Sequence, residues 1–258
     1  MSIPDKSAAP CWPALIEAEA LIPSLATEAP MPALSFQLPA TGICCLLGLD
    51  GSKLDVYLRA LGGIVPIREG HLRLFGQSTN TIDAASWIKI RMKLGYISQG
   101  APLLSVISGL ENVVLPSVYH GIYSRSDAIT QAGLLLQKLC FEGDTSLLPA
   151  YMSPLQRTQL ALARAVILEP AALLLNEPYH ELELQDQTII DDFLQEWCTE
   201  HALLIATRNL RLVRTMANNI VFFTEHTIHQ FASWEALCQS ECIEVSQYLQ
   251  RHHDLYDL

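Results

Sequence analysis

LSFQLPATGICCLLGLDGSKLDVYLRALGGI, residues 34–64, is the stretch on which the fold turns. LSFQL alternates as a half-buried strand does, and Pro39 and Gly42 bracket a turn. ICCLLGL (43–49) is apolar throughout, as a strand covered on both faces must be. It runs into a loop flanked by Gly48 and Gly51. Leu54, Leu58 and Leu61 then recur at helical spacing until Gly62, Gly63 and Pro66 stop them. Strand, glycine-flanked loop and helix in that order form the layout of a phosphate-binding loop.

Working outward, GHLRLFGQS (70–78) reads as a strand and turn, and LGYISQG (94–100) as another strand. Residues 103–120 and 126–140 have amphipathic helical spacing, and a helix over 158–168 halts at Pro170. AALLL (171–175) is a buried strand, followed by a helix over 186–199, the strand ALLIATR, a helix over 209–217 and the strand NIVFFTE. This alternation predicts an α/β domain with a largely parallel sheet. The first thirty-five residues hold six of the fourteen prolines, with IEAEALI (16–22) as a short edge strand. The expected organisation is a flexible segment over 1–15, one domain over 16–250 with a helical subdomain at about 100–160, and a tail over 251–258.

The bulk properties exclude several functions. Half the residues are hydrophobic, yet the longest apolar runs are strand-sized and none approaches the roughly 20 residues of a membrane span. Net charge is −11, with Lys and Arg thinly spread and no basic stripe, which argues against nucleic-acid binding and against anionic-lipid binding. The seven cysteines lack CxxC spacing, and free thiols in a reducing cytoplasm are expected. The first thirty residues contain no apolar signal-peptide core.

SFQLPATG, LGYISQ, GLENVVLP (109–116) and QLALARAVILEPAALLLNEP (159–178), in this order and spacing, resemble ABC-transporter ATPase subunits from about residue 16 to 250. The resemblance implies a P-loop NTPase-like α/β fold: a mostly parallel core sheet, an antiparallel β part and a helical subdomain. TIHQFASWEAL…SQYLQ (227–250) and the aromatic Tyr179 after NEP resemble the Mla/Mce lipid-transport ATPases more narrowly. An amphipathic helix packed on the domain accounts for that tail equally well.

Carried onto this chain, the family's site residues are largely replaced. The phosphate loop reads GLDGSKLDV. Gly48 and Gly51 match the pattern, while Lys53 stands for the third glycine, Leu54 for the lysine, Asp55 for the serine and Val56 for the threonine. An aliphatic side chain cannot neutralise phosphate, and Asp55 brings a like charge. A rival alignment with one deletion gives Lys53 the lysine role but breaks the register of the helix. Asn176 stands where the family's aspartate holds Mg²⁺, and Glu177 is retained as the residue that would polarise water. The signature reads MSPLQ (152–156): Ser153 and Gln156 survive, Pro154 removes a backbone donor, and Leu155 adds a side chain. Ser followed by Pro is also an ordinary helix start. Arg208 stands at the switch-histidine position, Glu183 replaces an aspartate, and the adenine-stacking aromatic falls near Leu25. Gln99 alone is intact among the polar contacts.

These substitutions together predict an ABC cassette that is defective in ATP binding and hydrolysis, with ATP and Mg²⁺ weakly held or not held. The expected partners are a membrane-spanning permease and a second ATPase subunit, in a homo- or heterodimer on the cytoplasmic face of a membrane. A divergent active ATPase using Lys53 and Glu177, and a soluble regulator, are the alternatives. APLLSVISGLENVVLP, following Gln99, is the expected docking segment through Leu103, Leu104, Val106, Ile107 and Leu110. Restoring Gly, Lys, Ser and Thr at positions 53–56 with Asp at 176 is expected to return some nucleotide binding but little turnover.

Overall fold

The computed structural model describes residues 14–24 and 31–256. Position 25, expected to hold the base-stacking aromatic, lies outside them, as do residues 1–13 and 257–258. The six-stranded sheet runs in the order β10 (Ile228–Phe231), β9 (Asn219–Phe223), β3 (Gly42–Gly48), β8 (Ala202–Thr207), β7 (Ala172–Asn176), β6 (Leu94–Ile97). All its pairings are parallel except β10 on β9.

Parallel strands buried on both faces explain the uninterrupted apolar runs. Along β3, Ile43, Cys45 and Leu47 face one core, whereas Cys44 and Leu46 face the other. The adjacent cysteines therefore point to opposite sides. Burial pushes the Cys44 thiol up to about 12 and raises Cys45 as well, and the six cysteines among the described residues are free thiols.

A four-stranded antiparallel sheet, ordered β2 (Leu34–Leu38), β1 (Ile16–Pro23), β4 (Ile67–Leu74), β5 (Gln77–Ser78), covers one of these cores together with α1 (Gly51–Leu61). IEAEALI is not the edge strand that its position before a proline-rich stretch suggested. It pairs with β2 on one side and β4 on the other, with a bulge on each side. At that bulge Ala20 has φ 46°, and Gly70 opposite has φ +85°, where a Cβ would meet the Ala20 carbonyl oxygen at 2.3 Å.

Over the other core lie α3 (Gly109–Tyr119), α4 (Arg125–Lys138), α5 (Pro154–Val166) and α6 (Leu184–Trp197). Residues 103–108 are not helical as expected, because Ser108 caps α3. The buried Asn112 holds the preceding loop, accepting from Leu104 N at 2.7 Å and donating to the Leu104 and Ser108 carbonyls at 3.0 Å. The helix α2 (Ala84–Met92) has no counterpart in the sequence pattern, because of its residues only Ile90 is buried and no apolar stripe marks it. After α7 (Leu210–Met216) the chain ends in α8 (Trp234–Cys238) and α9 (Ile243–Tyr256), which packs through the buried Val245 and Tyr248.

Candidate functional site

Ligands of open parallel sheets bind outside the carboxyl ends of the strands. Here β3, β6, β7 and β8 deliver their ends to a cleft of about 650 Å³, whose lining includes Asp50, Ser52, Asp55, Gln99, Asn176 and Arg208. Gly48 ends β3 beside β9, where a Cβ would meet the Phe223 carbonyl oxygen at 2.7 Å. Strand packing therefore requires that glycine whether or not a phosphate is near.

Between Gly48 and the first residue of α1 only Leu49 and Asp50 remain. The loop that would wrap a phosphate is a short turn, because Asp50 serves as N-cap. Its Oδ1 accepts from Ser52 N at 2.9 Å, Ser52 Oγ at 2.6 Å and Lys53 N at 3.3 Å. The Ser52 hydroxyl first, then the Lys53 and Ser52 N–H groups, hold the Asp50 carboxyl below its ordinary value. A carboxylate of the chain itself thus takes the donors that a helix N-terminus offers an anion. Asp50 carried no role in the sequence reading, although Asp ahead of a helix is a common cap.

Lys53 and Leu54 both turn from the cleft. Lys53 Nζ donates to the Glu225 carbonyl at 3.3 Å and does not line the cavity. Leu54 is 1% exposed in the core with Tyr57, Leu58 and Leu61, and Val56 packs partly against the same core. Asp55 faces the strand ends: Asn176 Nδ2 donates to its Oδ1 at 2.8 Å, Tyr96 Oη at 3.3 Å, and Arg59 sits 3.5 Å from Oδ2. Burial, then the Asp55 charge, pushes the Tyr96 phenol up to about 12. The Asn176 amide at the end of β7 is thus engaged by the Asp55 carboxylate of α1.

Glu177 carries φ 44° and accepts three hydrogen bonds. Thr207 Oγ1 reaches Oε2 at 2.9 Å, while Arg208 N and Nε reach Oε1 at 3.0 and 3.3 Å. Arg208 also lies over α1, with Nε 3.3 Å from where a Cβ on Gly51 would stand. Gln99, just past β6, is exposed at the cleft. Glu183 is the exposed N-cap residue of α6, makes no capping bond, and accepts from Gln185 at 3.3 Å.

At the start of α5, Ser153 and Gln156 close a capping box: Gln156 N donates to Ser153 Oγ at 3.2 Å, and Ser153 N to Gln156 Oε1 at 3.0 Å. Gln156 Nε2 is bonded to the Glu142 carbonyl at 2.8 Å, and Leu155 packs against the core. Ser153 and Gln156 are thus engaged by the helix start and by the Glu142 carbonyl. Tyr179 is buried, with its hydroxyl 3.4 Å from Met216 sulfur, so local packing explains that aromatic.

A parallel sheet whose central strand turns at glycine into a helix, flanked by an antiparallel sheet and a helical layer, is the P-loop NTPase-like architecture of ABC cassettes. The ABC transporter family profile matches residues 31–180, and the chain belongs to that family. The lipoprotein-releasing system ATP-binding protein LolD of Francisella tularensis is 29% identical over 174 residues, 66% of this chain and 75% of the relative. The glutamate/aspartate import ATP-binding protein GltL of Escherichia coli is 25% identical over 187 residues, 72% and 77% of the two chains. A probable ribonucleotide transport ATP-binding protein of Mycobacterium leprae is 26% identical over 240 residues, 91% of this chain and 68% of that one. The dimeric ATP-binding cassette MJ0796, solved with ADP and Pi, superposes with TM-score 0.76 at 20% identity, covering 84% of this chain and 98% of its own. The cbiO1 protein of Clostridium perfringens gives 0.74 at 18% identity, covering 95% and 99%. At such identities the structural likeness speaks to fold alone.

Proposed function

We propose that this ABC cassette subunit is a pseudo-ATPase, retained for assembly of a membrane transport complex and not for hydrolysis. The observation that carries the reading is the turn at Asp50, whose carboxylate takes the two N–H groups at the head of α1 while Leu54 is spent on the core. The donor set does not fit Mg-ATP. A triphosphate would meet Asp50 and Asp55, and the Arg208 guanidinium beside them is already paired with Glu177. Glu177 would have to leave Thr207 and Arg208 before it could orient a water, which counts against the divergent-ATPase alternative. Isothermal calorimetry on the purified chain should find Mg-ATP affinity no better than millimolar. Micromolar, Mg²⁺-dependent binding would overturn the proposal.

The partners in this reading are a membrane-spanning permease and a second ATPase subunit, either another copy of this chain or an intact cassette. The placement is peripheral on the cytoplasmic face, and among the described residues no helix is long and apolar enough to cross a membrane. A lipid-type cargo is supported by the resemblance of residues 227–250 to the Mla/Mce group and by the lipoprotein-releasing relative. For docking, Leu104 and Val106 stand 49% and 84% exposed on the loop that Asn112 pins, whereas Leu103 and Leu110 pack against the core. Apolar groups held out on a fixed loop suit a protein interface. Leu104→Asp with Val106→Asp should abolish co-purification with detergent-solubilised membrane partners while leaving the melting temperature within a degree or two. Undiminished co-purification would remove the segment from the interface.

A further inference from the structure

A second cleft, of about 400 Å³, lies between the turn after α1, β4 and α2. Its exposed lining is more polar than apolar, with Thr79, Asn80 and Arg91 beside an apolar strip that includes Ile64, Val65, Ile67 and Trp87, and no carboxylate lines it. Trp87 is held against the backbone at Gly63, where a Cβ would meet the ring at 2.6 Å, so this wall is set by packing. Arg91 closes the rim, its guanidinium 5.4 Å from the centre of the Trp87 ring. The side chain is exposed, and among the described residues no carboxylate lies within ion-pair distance of it. The same holds for Arg73, Lys89 and Lys93.

The basic residues are not as evenly scattered as the whole-chain balance implied. Residues 59–93 hold six of the sixteen Lys and Arg but only two of the twenty-seven Asp and Glu. Arg59 and Arg68 are ion-paired with Asp55 and Glu69, and Glu17 lies opposite Arg73 across β1 and β4, so the positive charge without a carboxylate partner sits on Lys89, Arg91 and Lys93, on and just after α2. Such a local excess attracts anions, and a guanidinium with no carboxylate partner binds carboxylate or phosphate in a fork.

We propose that this cleft binds an anionic amphiphile, with its apolar body on Trp87 and Ile64 and its carboxylate or phosphate on Arg91. The site is separate from the strand-end cleft and does not depend on whether that cleft binds nucleotide. A purely apolar ligand would leave Arg91 without a counter-charge, and a cationic one would face Arg91 with no carboxylate to offset it.

The test is calorimetric titration of the full-length protein with dodecanoate and dodecyl phosphate below their micellar concentrations, with dodecyltrimethylammonium as the opposite-charge control. The anions should bind saturably and the cation should not. Arg91→Gln should weaken anion binding by about tenfold or more, as expected for loss of a charge-assisted hydrogen bond. Ile64→Asp, on a side chain 46% exposed, should do the same without unfolding the protein. Absence of saturable binding, equal binding of the cation, or indifference to both substitutions would overturn the proposal. Co-sedimentation with vesicles containing anionic phospholipid distinguishes the source. Arg91-dependent co-sedimentation supports a membrane lipid, and binding of the monomeric anions alone supports a free amphiphile.

Discussion

A Leu54→Lys variant, which places lysine where the proposed pseudo-ATPase reading puts the missing one, is expected to lower the melting temperature by on the order of 10 °C and to gain no measurable affinity for ATP. Leu54 is 1% exposed in the first turn of α1, in the core shared with the antiparallel sheet. Losing a buried leucine costs about 2–5 kcal/mol in most cores, and an ammonium in its place adds desolvation that nothing nearby offsets. A positive charge in the first helical turn is also unfavourable to the helix dipole. Calorimetric melting of the variant beside the unmodified chain checks this. An unchanged melting temperature would mean that the turn rearranges freely and that Leu54 is not fixed in the core. In the five-site restoration Asp50 would still occupy the head of α1, so the expected gain in nucleotide binding is small.

A comparable loss is expected from Arg211→Met. Arg211 holds Asp191 between α6 and α7, with Nη1 and Nη2 at 3.2 and 3.1 Å from Oδ2. The Asp191 side chain is 10% exposed, and its other oxygen has no partner among the described residues. Burial pushes this carboxyl from 3.8 up to about 6, with Arg211 opposing the rise. Breaking a buried pair by removing one member typically costs about 3–5 kcal/mol, because the remaining charge is left uncompensated. The sign with pH follows from proton counting. Between 3.8 and about 6 the folded chain keeps a proton at Asp191 that the unfolded chain has lost. This group's contribution to stability therefore falls as pH rises across that window and is flat above it. Without Arg211 the carboxyl rises further, so the variant's penalty keeps growing above pH ~6. Urea denaturation at pH 5 and pH 8 should show the larger deficit at pH 8, and equal deficits would clear Asp191 of the effect.

The core sheet was legible because β3, β7 and β8 are buried on both faces and advertise it as unbroken apolar runs. The helices α5 and α6 were legible by their spacing and their stops. β1 was misplaced at an edge because alternation reports one buried face and says nothing about how many neighbours a strand has. The helix α2 was missed because it buries almost nothing of its own. In the candidate site, the positions of Asp55, Asn176, Gln99 and Arg208 at one cleft could be anticipated from motif order. Their pairings could not, because the Asn176–Asp55 bond joins residues 121 positions apart and the Arg208–Glu177 bond residues 31 apart. The capping role of Asp50 had a sequence signal, Asp before a helix start, but the glycine-loop pattern drew attention from it.

The Asp50 cap has a consequence for descent. An external anion leaves and returns, whereas a carboxylate attached to the next residue is present at all times. Once it satisfies the head of α1, a lysine at position 54 has no phosphate to meet, and leucine there adds to the core. Retracing those steps one at a time is uphill. Removing Asp50 first uncaps the helix, at a typical cost of about 1 kcal/mol, before any phosphate is gripped. Returning lysine to position 54 first damages the core. On the proposed pseudo-ATPase reading, each single reversion lowers stability without returning activity, so the two substitutions would act together as a ratchet.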